Sequence, residues 1–224
     1  MCGRFVQAHT AEEYALHFGA AEVLADAQER SWNVAPTDRV YAVASHEGRR
    51  SLGSFRWGLV PWFADSPKVG SRHINARAET AATSPVFKDS FQRRRCLIPA
   101  DGFYEWKPMN QGGKLAHFVY ATDGSPLALA GLWASWKDPH GERLTTCTII
   151  TTTPNEAVAP IHDRMPAVLP ADVWDRWLDP DNADTEGLRA LLGPAPDGTL
   201  THHPVSSLVN SVKNNVPELI EPLR

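Results

Sequence analysis

The feature that most constrains the fold of this chain is a succession of short β-type segments between residues 39 and 152. The segments are rich in β-branched and aromatic residues, which fit a pleated, half-buried surface. Turn residues separate several of them, at 111–113, 123–124 and 138–141. The pattern predicts these strands: Arg39–Ser45, Ser54–Leu59, Cys96–Ile98, Phe103–Lys107, Ala116–Ala121, Leu127–Ser135 and Leu144–Thr152.

Helices are expected to be few and short. A capping-box pattern opens at Thr10, and a Ser-Pro helix start lies at 84–85. Apolar spacing and terminal glycines then predict helices over 11–18, 84–94, 172–178 and 185–192. Because strand and helix do not alternate regularly, the sequence predicts an α+β fold. We expect a mostly antiparallel, barrel-like β core with short peripheral helices.

Length and cysteine content indicate one domain in a reducing compartment. A chain of 224 residues with 42% hydrophobic content can bury a core without disulfides, so a single domain over 1–224 is expected. The cysteines are Cys2, Cys96 and Cys147, and no CxxC pair is present. This argues against a disulfide scaffold or a zinc cluster. With no signal-peptide core and no membrane-spanning run, a cytoplasmic protein is expected, and a monomer is the simplest assembly.

The distribution of charge is more informative than its total. The net charge is −4, which by itself disfavours nucleic acid as a partner. Residues 49–95, however, hold 10 Lys and Arg against three Asp and Glu, a local balance of +7. A basic surface inside an acidic protein is one interpretation. The other is that these arginines are scattered over a solvated face.

Cys2 is the residue with the most distinctive potential chemistry. Removal of Met1, which is expected before a small residue, would leave a thiol and an α-amine on adjacent carbons. An amine with a reference pKa of about 8 is partly neutral at neutral pH and can condense with an aldehyde to an imine. The thiol can then close a five-membered thiazolidine, which the intramolecular geometry favours. The alternative is an inert residue in a frayed terminus.

Other candidate residues fall into short polar clusters. Asn75 and Arg77 alternate with apolar residues; the asparagine can fix a backbone group or an amine, and the arginine suits a phosphate. The alternative for this segment is a polar edge strand with a surface ion pair. Glu105 sits among aromatic residues, which should raise its pKa and suit a general acid. Neighbouring Trp106 could stack on a base or could simply belong to the core. An exposed glutamate on a half-buried strand is the alternative for Glu105.

A last cluster follows the strand predicted over 144–152. His162 is a natural proton shuttle near neutral pH, and Arg164 could bind phosphate. The alternative is a structural histidine beside a loop. None of these clusters identifies a function by itself.

Taken together and in order, the motifs resemble the SRAP family, whose name stands for SOS response-associated peptidase and which includes abasic-site-processing proteins. The resemblance spans nearly the whole chain, with its last 50 or so residues matching less distinctively. The motifs that carry it are Met-Cys-Gly-Arg-Phe at 1–5, Trp-Gly-Leu-Val-Pro-Trp at 57–62, Ile-Asn-Ala-Arg-Ala-Glu at 74–79, Cys-Leu-Ile-Pro-Ala-Asp-Gly-Phe-Tyr-Glu-Trp at 96–106, Ala-Gly-Leu-Trp at 130–133 and Ile-His-Asp-Arg-Met-Pro at 161–166.

The resemblance implies an enzyme that crosslinks itself to the aldehyde of an abasic site in single-stranded DNA, in the setting of DNA repair and the SOS response. It implies a thiazolidine at Cys2, with Glu105 as acid and base, His162 as proton carrier, and Asn75 orienting the amine or the opened sugar. It further implies DNA contacts from Arg4, Arg77, Trp106 and Arg164. No metal or organic cofactor is implied. Nucleoid association would follow in a bacterium.

Three other functions stay open on the sequence. The family name carries a peptidase activity, so Cys2, Glu105 and His162 could cleave an amide, for example beside Met1. An N-terminal-nucleophile amidotransferase or hydrolase also begins with Met-Cys-Gly. A non-covalent binder of single-stranded or modified DNA would leave Cys2 incidental.

Overall fold

The computed structural model describes residues 2–26 and 28–223, with the backbone only for His46. Met1, on whose removal the predicted Cys2 amine depends, lies outside these residues. The strands are β1 (Phe5–Gln7), β2 (Glu22–Val23), β3 (Ser31–Val34), β4 (Arg39–His46), β5 (Arg49–Trp57), β6 (Asn75–Arg77), β7 (Arg95–Ala100), β8 (Gly102–Pro108), β9 (Lys114–Ala121), β10 (Leu127–Lys137), β11 (Arg143–Thr152), β12 (Met165–Pro166) and β13 (Leu200–Pro204). The α-helices are α1 (Ala11–Phe18), α2 (Lys88–Arg93), α3 (Trp174–Leu178) and α4 (Thr185–Ala190), and 3-10 turns cover Pro67–Arg72, Ala171–Val173, Ser207–Asn210 and Pro217–Ile220.

The larger sheet closes on itself. Strands β11, β10, β7, β4 and β5 are antiparallel neighbours in that order, and β5 returns to pair with β11 in parallel. The short strand β6 also pairs with β11 in parallel, from Asn75 opposite Ile149 to Arg77 opposite Thr151. Closure leaves no free edge among these barrel strands, which removes a common route to aggregation. It also places β6 beside the barrel.

The second sheet is antiparallel and has the order β13-β9-β8-β1-β3. Its inner face joins the barrel core through Phe5, Phe103 and Val119, all fully buried. Its other face packs with Val205, Val209 and Leu219 from the C-terminal segment. A separate hydrophobic cluster forms where α1, α3 and α4 pack on the barrel, and we call this the helical side of the barrel. The N-terminal segment is therefore held between two sheets.

The α+β fold with a mostly antiparallel, barrel-like core is confirmed, and every predicted strand has a counterpart. The capping box at Thr10 is also confirmed, with α1 ending at Gly19 in the left-handed conformation (φ 63°). The predicted helix over 84–94 begins only at Lys88, because tight turns occupy the preceding residues and no side chain caps its start. The other strands, β1, β2, β3, β6, β12 and β13, were not among the predicted strands, although a polar edge strand was the alternative for the segment that forms β6. In the described segments no helix is long and apolar enough to span a membrane.

Candidate active site between the two sheets

Cys2 lies directly before β1 and is fully buried. Because Cys2 is buried, its carbonyl oxygen is hydrogen-bonded by Asn75, and β1 pairs with β3 and β8 three residues later, residue 2 does not lie in a frayed terminus. Burial raises the pKa of the Cys2 thiol well above its usual range, and the nearby Glu105 carboxylate raises it further. The thiol is therefore protonated at neutral pH in the resting protein.

Asn75 binds the main chain of the candidate nucleophile. Its Nδ2 donates a hydrogen bond of 2.8 Å to the carbonyl oxygen of Cys2. Its Oδ1 is buried and has no hydrogen-bond partner among the described residues. A buried, unpaired amide oxygen costs free energy, so a donor arriving at this point would be stabilised. The Asn75 amide thus fixes one side of Cys2 and offers an acceptor beside it.

A close approach of two glycines brings the Asn75 segment to the barrel. Gly58 has a φ of 123°, and a Cβ built on it would lie 2.6 Å from the carbonyl oxygen of Gly70. Only glycine fits this conformation and this gap. The indole of buried Trp57 then donates to the carbonyl of Ile74 at 2.9 Å. The loop is thereby fixed one residue before Asn75.

Glu105 comes from β8, on the sheet face that also carries Phe103. The residue is only 2% exposed, and burial raises the pKa of its carboxyl group to about 7. A carboxyl group with this pKa exists in both protonation states near neutral pH, so it can donate and accept a proton. The sequence-based expectation of a raised pKa agrees with this environment, and the alternative of an exposed glutamate is wrong.

His162 reaches Glu105 from the loop between β11 and β12. Its Nε2 lies 3.8 Å from Oε2 of Glu105. The main-chain N–H of Arg164 donates to its Nδ1 at 3.0 Å, which places the proton of the neutral ring on Nε2, facing the carboxylate. Asp163 Oδ1, 2.9 Å from Nδ1, accepts from that nitrogen only when the ring is doubly protonated. Burial lowers the pKa of His162, which favours the neutral ring.

Two of the three arginines expected at phosphates make strong contacts within the protein. Arg4 donates to the Asn33 side chain at 2.7 Å and to the Val209 carbonyl at 2.9 Å. Arg164 forms a bidentate pair with Glu79, at 2.6 and 2.9 Å. These bonds order the guanidinium groups and use much of their donor capacity. The Nε atoms of both arginines are buried and have no hydrogen-bond partner among the described residues.

Arg77 and Trp106 differ from Arg4 and Arg164 in their exposure and in their hydrogen bonds. Arg77 is exposed, and its side chain makes no hydrogen bond or ion pair to another described residue. Trp106 is half-buried, lies 6.0 Å from the Arg4 guanidinium, and donates from its indole to Asn210 Oδ1 at 2.7 Å. Its ring is thus held in a fixed orientation. Of the arginines predicted to contact DNA, Arg77 is the most accessible.

The basic count over 49–95 overstates the surface available to an anion. Arg95 is 2% exposed and donates to main-chain carbonyls, among them those of Trp177 and Phe91 at 2.6 Å. Arg50 pairs with Asp175 at 2.6 Å on the helical side of the barrel. The region therefore supplies exposed Arg77 but also structural arginines, so its charge count does not by itself measure a basic surface.

Sequence reasoning missed the residues that hold the site's rim in place. Asn33 accepts from Arg4 and donates from Nδ2 to the carbonyls of Ser211 and Asn214. Asn210 orients Trp106. The only sequence signal for them is the concentration of asparagine at 210–215, in the stretch with the least distinctive motifs. Among the described residues, no group of three or more His, Cys, Asp and Glu side chains could hold a metal ion.

A family model and the named relatives of this chain agree with one another. Residues 1–212 match the family model described as SOS response associated peptidase (SRAP). Abasic site processing protein YoqW of Bacillus subtilis (strain 168) is 41% identical over 222 residues, covering 99% of both chains. Abasic site processing protein YedK of Escherichia coli (strain K12) is 34% identical over 234 residues, covering all of both. A crystal structure of a protein from Bacteroides thetaiotaomicron has the same fold, with a TM-score of 0.89 over both full chains at 24% identity.

Proposed function

The chain belongs to the SOS response associated peptidase (SRAP) family, and from this membership we propose that it processes abasic sites in DNA through a covalent bond at Cys2. The relatives YoqW and YedK carry abasic site processing in their names. The substrate we assign is the ring-opened aldehyde of an abasic site in single-stranded DNA. The product is a DNA–protein crosslink in which the thiol and the α-amine of Cys2 share one carbon of the former sugar.

One observation supports this assignment above the others. The buried Cys2 is hydrogen-bonded by Asn75 and lies within electrostatic reach of Glu105, which in turn faces His162. These residues come from four separate parts of the chain. A non-covalent binder would not need a buried thiol beside a carboxyl group whose pKa is tuned to about 7.

The proposed reaction balances in four steps. Glu105, in its protonated form, gives a proton to the ring oxygen of the closed sugar while its carboxylate takes the one that the anomeric hydroxyl loses, and the sugar opens to its aldehyde. The Cys2 amine, exposed by removal of Met1, adds to the aldehyde carbon, and a proton moves from nitrogen to oxygen. The new hydroxyl takes a proton from Glu105 and leaves as water, and a protonated imine forms. Finally the thiol gives its proton to the Glu105 carboxylate, the sulfur adds to the imine carbon, and the thiazolidine closes.

The raised pKa of the Cys2 thiol sets the order of bond formation. A buried neutral thiol is a poor nucleophile, so the amine reacts first. The protonated imine that follows places a positive charge beside the sulfur, which favours loss of the thiol proton. We assign Glu105 and His162 as the groups that receive that proton, since the nitrogen of the protonated imine already carries the hydrogen of the closed ring. The same raised pKa disfavours a resting thiolate, which cysteine peptidases and amidotransferases use as the attacking species.

The crosslink would protect the damaged strand. An abasic aldehyde can undergo β-elimination and break the DNA, whereas the saturated ring is no longer an electrophile at that carbon. In single-stranded DNA no complementary strand is available as a repair template. We place this activity on exposed single strands in the cytoplasm, at the nucleoid of a bacterial cell, with Arg77 holding a flanking phosphate.

The decisive experiment mixes the purified protein with an oligonucleotide that carries one abasic site and separates the products on a denaturing gel. We expect a stable adduct with the parent protein and none with Cys2→Ala. Cys147→Ala is the matched control, since Cys147 is a second fully buried free cysteine and, within the chain, has no α-amine beside its thiol. An equal yield of adduct from Cys2→Ala would overturn the nucleophile assignment.

Mass spectrometry of the intact protein before and after the reaction distinguishes the chemical alternatives. We expect the mass of the chain without Met1, and then an adduct mass that corresponds to loss of one water. A variant that retains Met1 should give no stable adduct although its thiol is intact. Release of ammonia from glutamine by the parent protein would instead support the amidotransferase reading.

A further inference from the structure

Glu105 belongs to a row of titratable side chains that crosses three adjacent strands. It lies directly opposite His117 in the antiparallel pairing of β8 and β9, so the two side chains share one face with Cβ atoms roughly 5 Å apart. His202 on β13 pairs with Val119, two residues along β9 from His117. Since alternate residues share a face, His117 and His202 also project to the same side. The row thus runs Glu105, His117, His202.

The two histidines are in direct contact. Their Nδ1 atoms lie 3.1 Å apart, and their ring centroids are 5.0 Å apart. Two neutral imidazoles in this arrangement share one proton, with one Nδ1 donating and the other accepting. Strand β13 is the outer strand of its sheet, and His202 is half-buried there. The pair therefore leads from the interior to an edge that solvent can reach.

His117 has one ring nitrogen that is buried and unpaired. The residue is 7% exposed, and its Nε2 has no hydrogen-bond partner among the described residues. Its Nδ1 is already engaged with His202. Nε2 is therefore the atom through which His117 can exchange a proton with its cross-strand neighbour Glu105, by way of one bridging water molecule.

The charged groups around the pair keep both rings neutral. Lys107 follows Glu105 on the same face of β8, and His203 follows His202 on β13. Burial, then His202, Lys107 and His203, lower the pKa of His117 to about 4. Burial, then Lys107 and His203, also lower the pKa of His202. Neutral rings are what a chain of proton transfers through imidazoles requires, since each ring must be able to accept on one nitrogen and donate from the other.

We propose that His117 and His202 form a proton path that connects Glu105 to solvent at the edge of β13. This inference rests on the proposed function. Bound DNA would cover the mouth of the site above Cys2, and Glu105 is itself 2% exposed. A path along the sheet would set the protonation state of Glu105 while the substrate is bound.

The transfer is balanced as follows. The Glu105 carboxylate takes a proton from a bridging water molecule, which takes the proton from Nε2 of His117 in turn, and His117 takes at Nδ1 the proton that His202 donates from its own Nδ1. His202 recovers a proton on Nε2 from a hydronium ion in solvent. One proton has entered at the edge and one has arrived at the carboxylate, and running the steps backward removes one. His117 and His202 touch no reacting atom, so they are positioning and proton-transfer residues.

The first test measures the rate of adduct formation against pH for His117→Phe, which preserves a buried ring and removes the ionisable nitrogens. We expect a rate about tenfold slower than that of the parent, with a pH profile that becomes dependent on buffer concentration. His117→Gln is the second variant, in case the phenyl ring disturbs folding. His140→Phe is the control, because His140 lies in an exposed turn between β10 and β11 and its ring belongs to no part of the row. Rates and profiles equal to those of the parent in both His117 variants would overturn the proposal.

A second measurement uses the protein without DNA and is independent of crosslinking. Nitrogen-15 NMR of the histidine rings should show that Glu105→Gln shifts the resonances of His117 and leaves those of His203 in place. Unchanged His117 resonances would refute the coupling even if the parent forms an adduct. A parent protein that forms no adduct but shows the His117 shift would refute the proposed function and retain the path. The two failures are therefore distinguishable.

Discussion

Inside the site, Cys2 and Glu105 are almost wholly buried, whereas Arg77 on the rim is exposed to solvent. Burial raises the pKa of both interior groups and so tunes them for proton transfer. Anion binding at the rim requires exposure to solvent and not burial. An arginine attracts phosphate most strongly when its charge is accessible and not already paired, and Arg4 and Arg164 are bonded within the protein. Reactivity and anion binding therefore place contrary demands on neighbouring polar residues.

This contrast teaches that substitutions in the interior should change rates, while substitutions on the rim should change affinity. An interior residue acts through its proton or its bond to Cys2, which the transition state uses. In the proposed function, a rim residue acts through its charge, which attracts the DNA phosphates equally before and after the covalent bond forms. The predictions below test this division, beginning with the largest expected effect.

Replacement of Glu105 by Gln should give the largest change in rate. The amide cannot donate and then accept a proton, so we expect adduct formation to slow by about 100-fold or more. Affinity for an oligonucleotide with a tetrahydrofuran abasic analogue, which has no aldehyde, should stay the same. Single-turnover gels and fluorescence anisotropy measure the two quantities. An equal loss in both would mean that Glu105 is structural and would break the division between interior and rim.

The same substitution should change stability in a pH-dependent way. Burial raises the pKa of Glu105 to about 7 in the folded protein. The neutral carboxyl group therefore contributes fully to stability at pH values below the pKa that it has in the unfolded chain. That contribution is lost as the pH rises through about 7. Above that pH the buried carboxylate costs on the order of 2 to 3 kcal/mol, which the neutral amide avoids. We expect Glu105→Gln to raise the free energy of unfolding, relative to the parent, more at about pH 8 than at about pH 5. Urea denaturation at both pH values checks this, and a difference independent of pH would contradict it.

Replacement of His162 by Ala should have an intermediate effect. The ring faces Glu105 with its Nε2 and assists proton movement in formation and in reversal, so both rates should fall by about tenfold. The time courses of adduct formation and of release from purified crosslink give these rates. His140→Ala, in an exposed turn, is the control. If both time courses equal those of the parent, His162 lies outside the chemistry.

Replacement of Arg77 by Ala should have the smallest effect and should act on affinity alone. Loss of one phosphate contact should weaken binding a few-fold and reduce the slope of log affinity against log salt by about 0.7 on a single strand. Arg176→Ala on α3, at the helical side of the barrel, is the matched control. A salt slope identical to the parent's would exclude a phosphate contact at Arg77 and would place DNA elsewhere on the rim.

The sequence was informative wherever a local pattern decides the outcome. The enrichment in β-branched and aromatic residues, with turn residues between the segments, predicted the long strands, since such residues fit a pleated and largely buried surface. The capping box predicted the start of α1, because both of its hydrogen bonds lie within one turn. The start of α2 was mispredicted at Ser84, because the Ser-Pro signal is also compatible with the tight turns found there.

The sequence by itself determined the strand-rich fold class, the chemistry available at Cys2 and the raised pKa expected for Glu105 among aromatic residues. Only the tertiary structure decided which charges remain available. Arg4 bonds to Val209, 205 residues away, and Arg164 bonds to Glu79, 85 residues away, so no local pattern could reveal that these guanidinium groups have partners. The row from Glu105 to His202 arises in the same way, because cross-strand register sets it, and register depends on how distant strands pair.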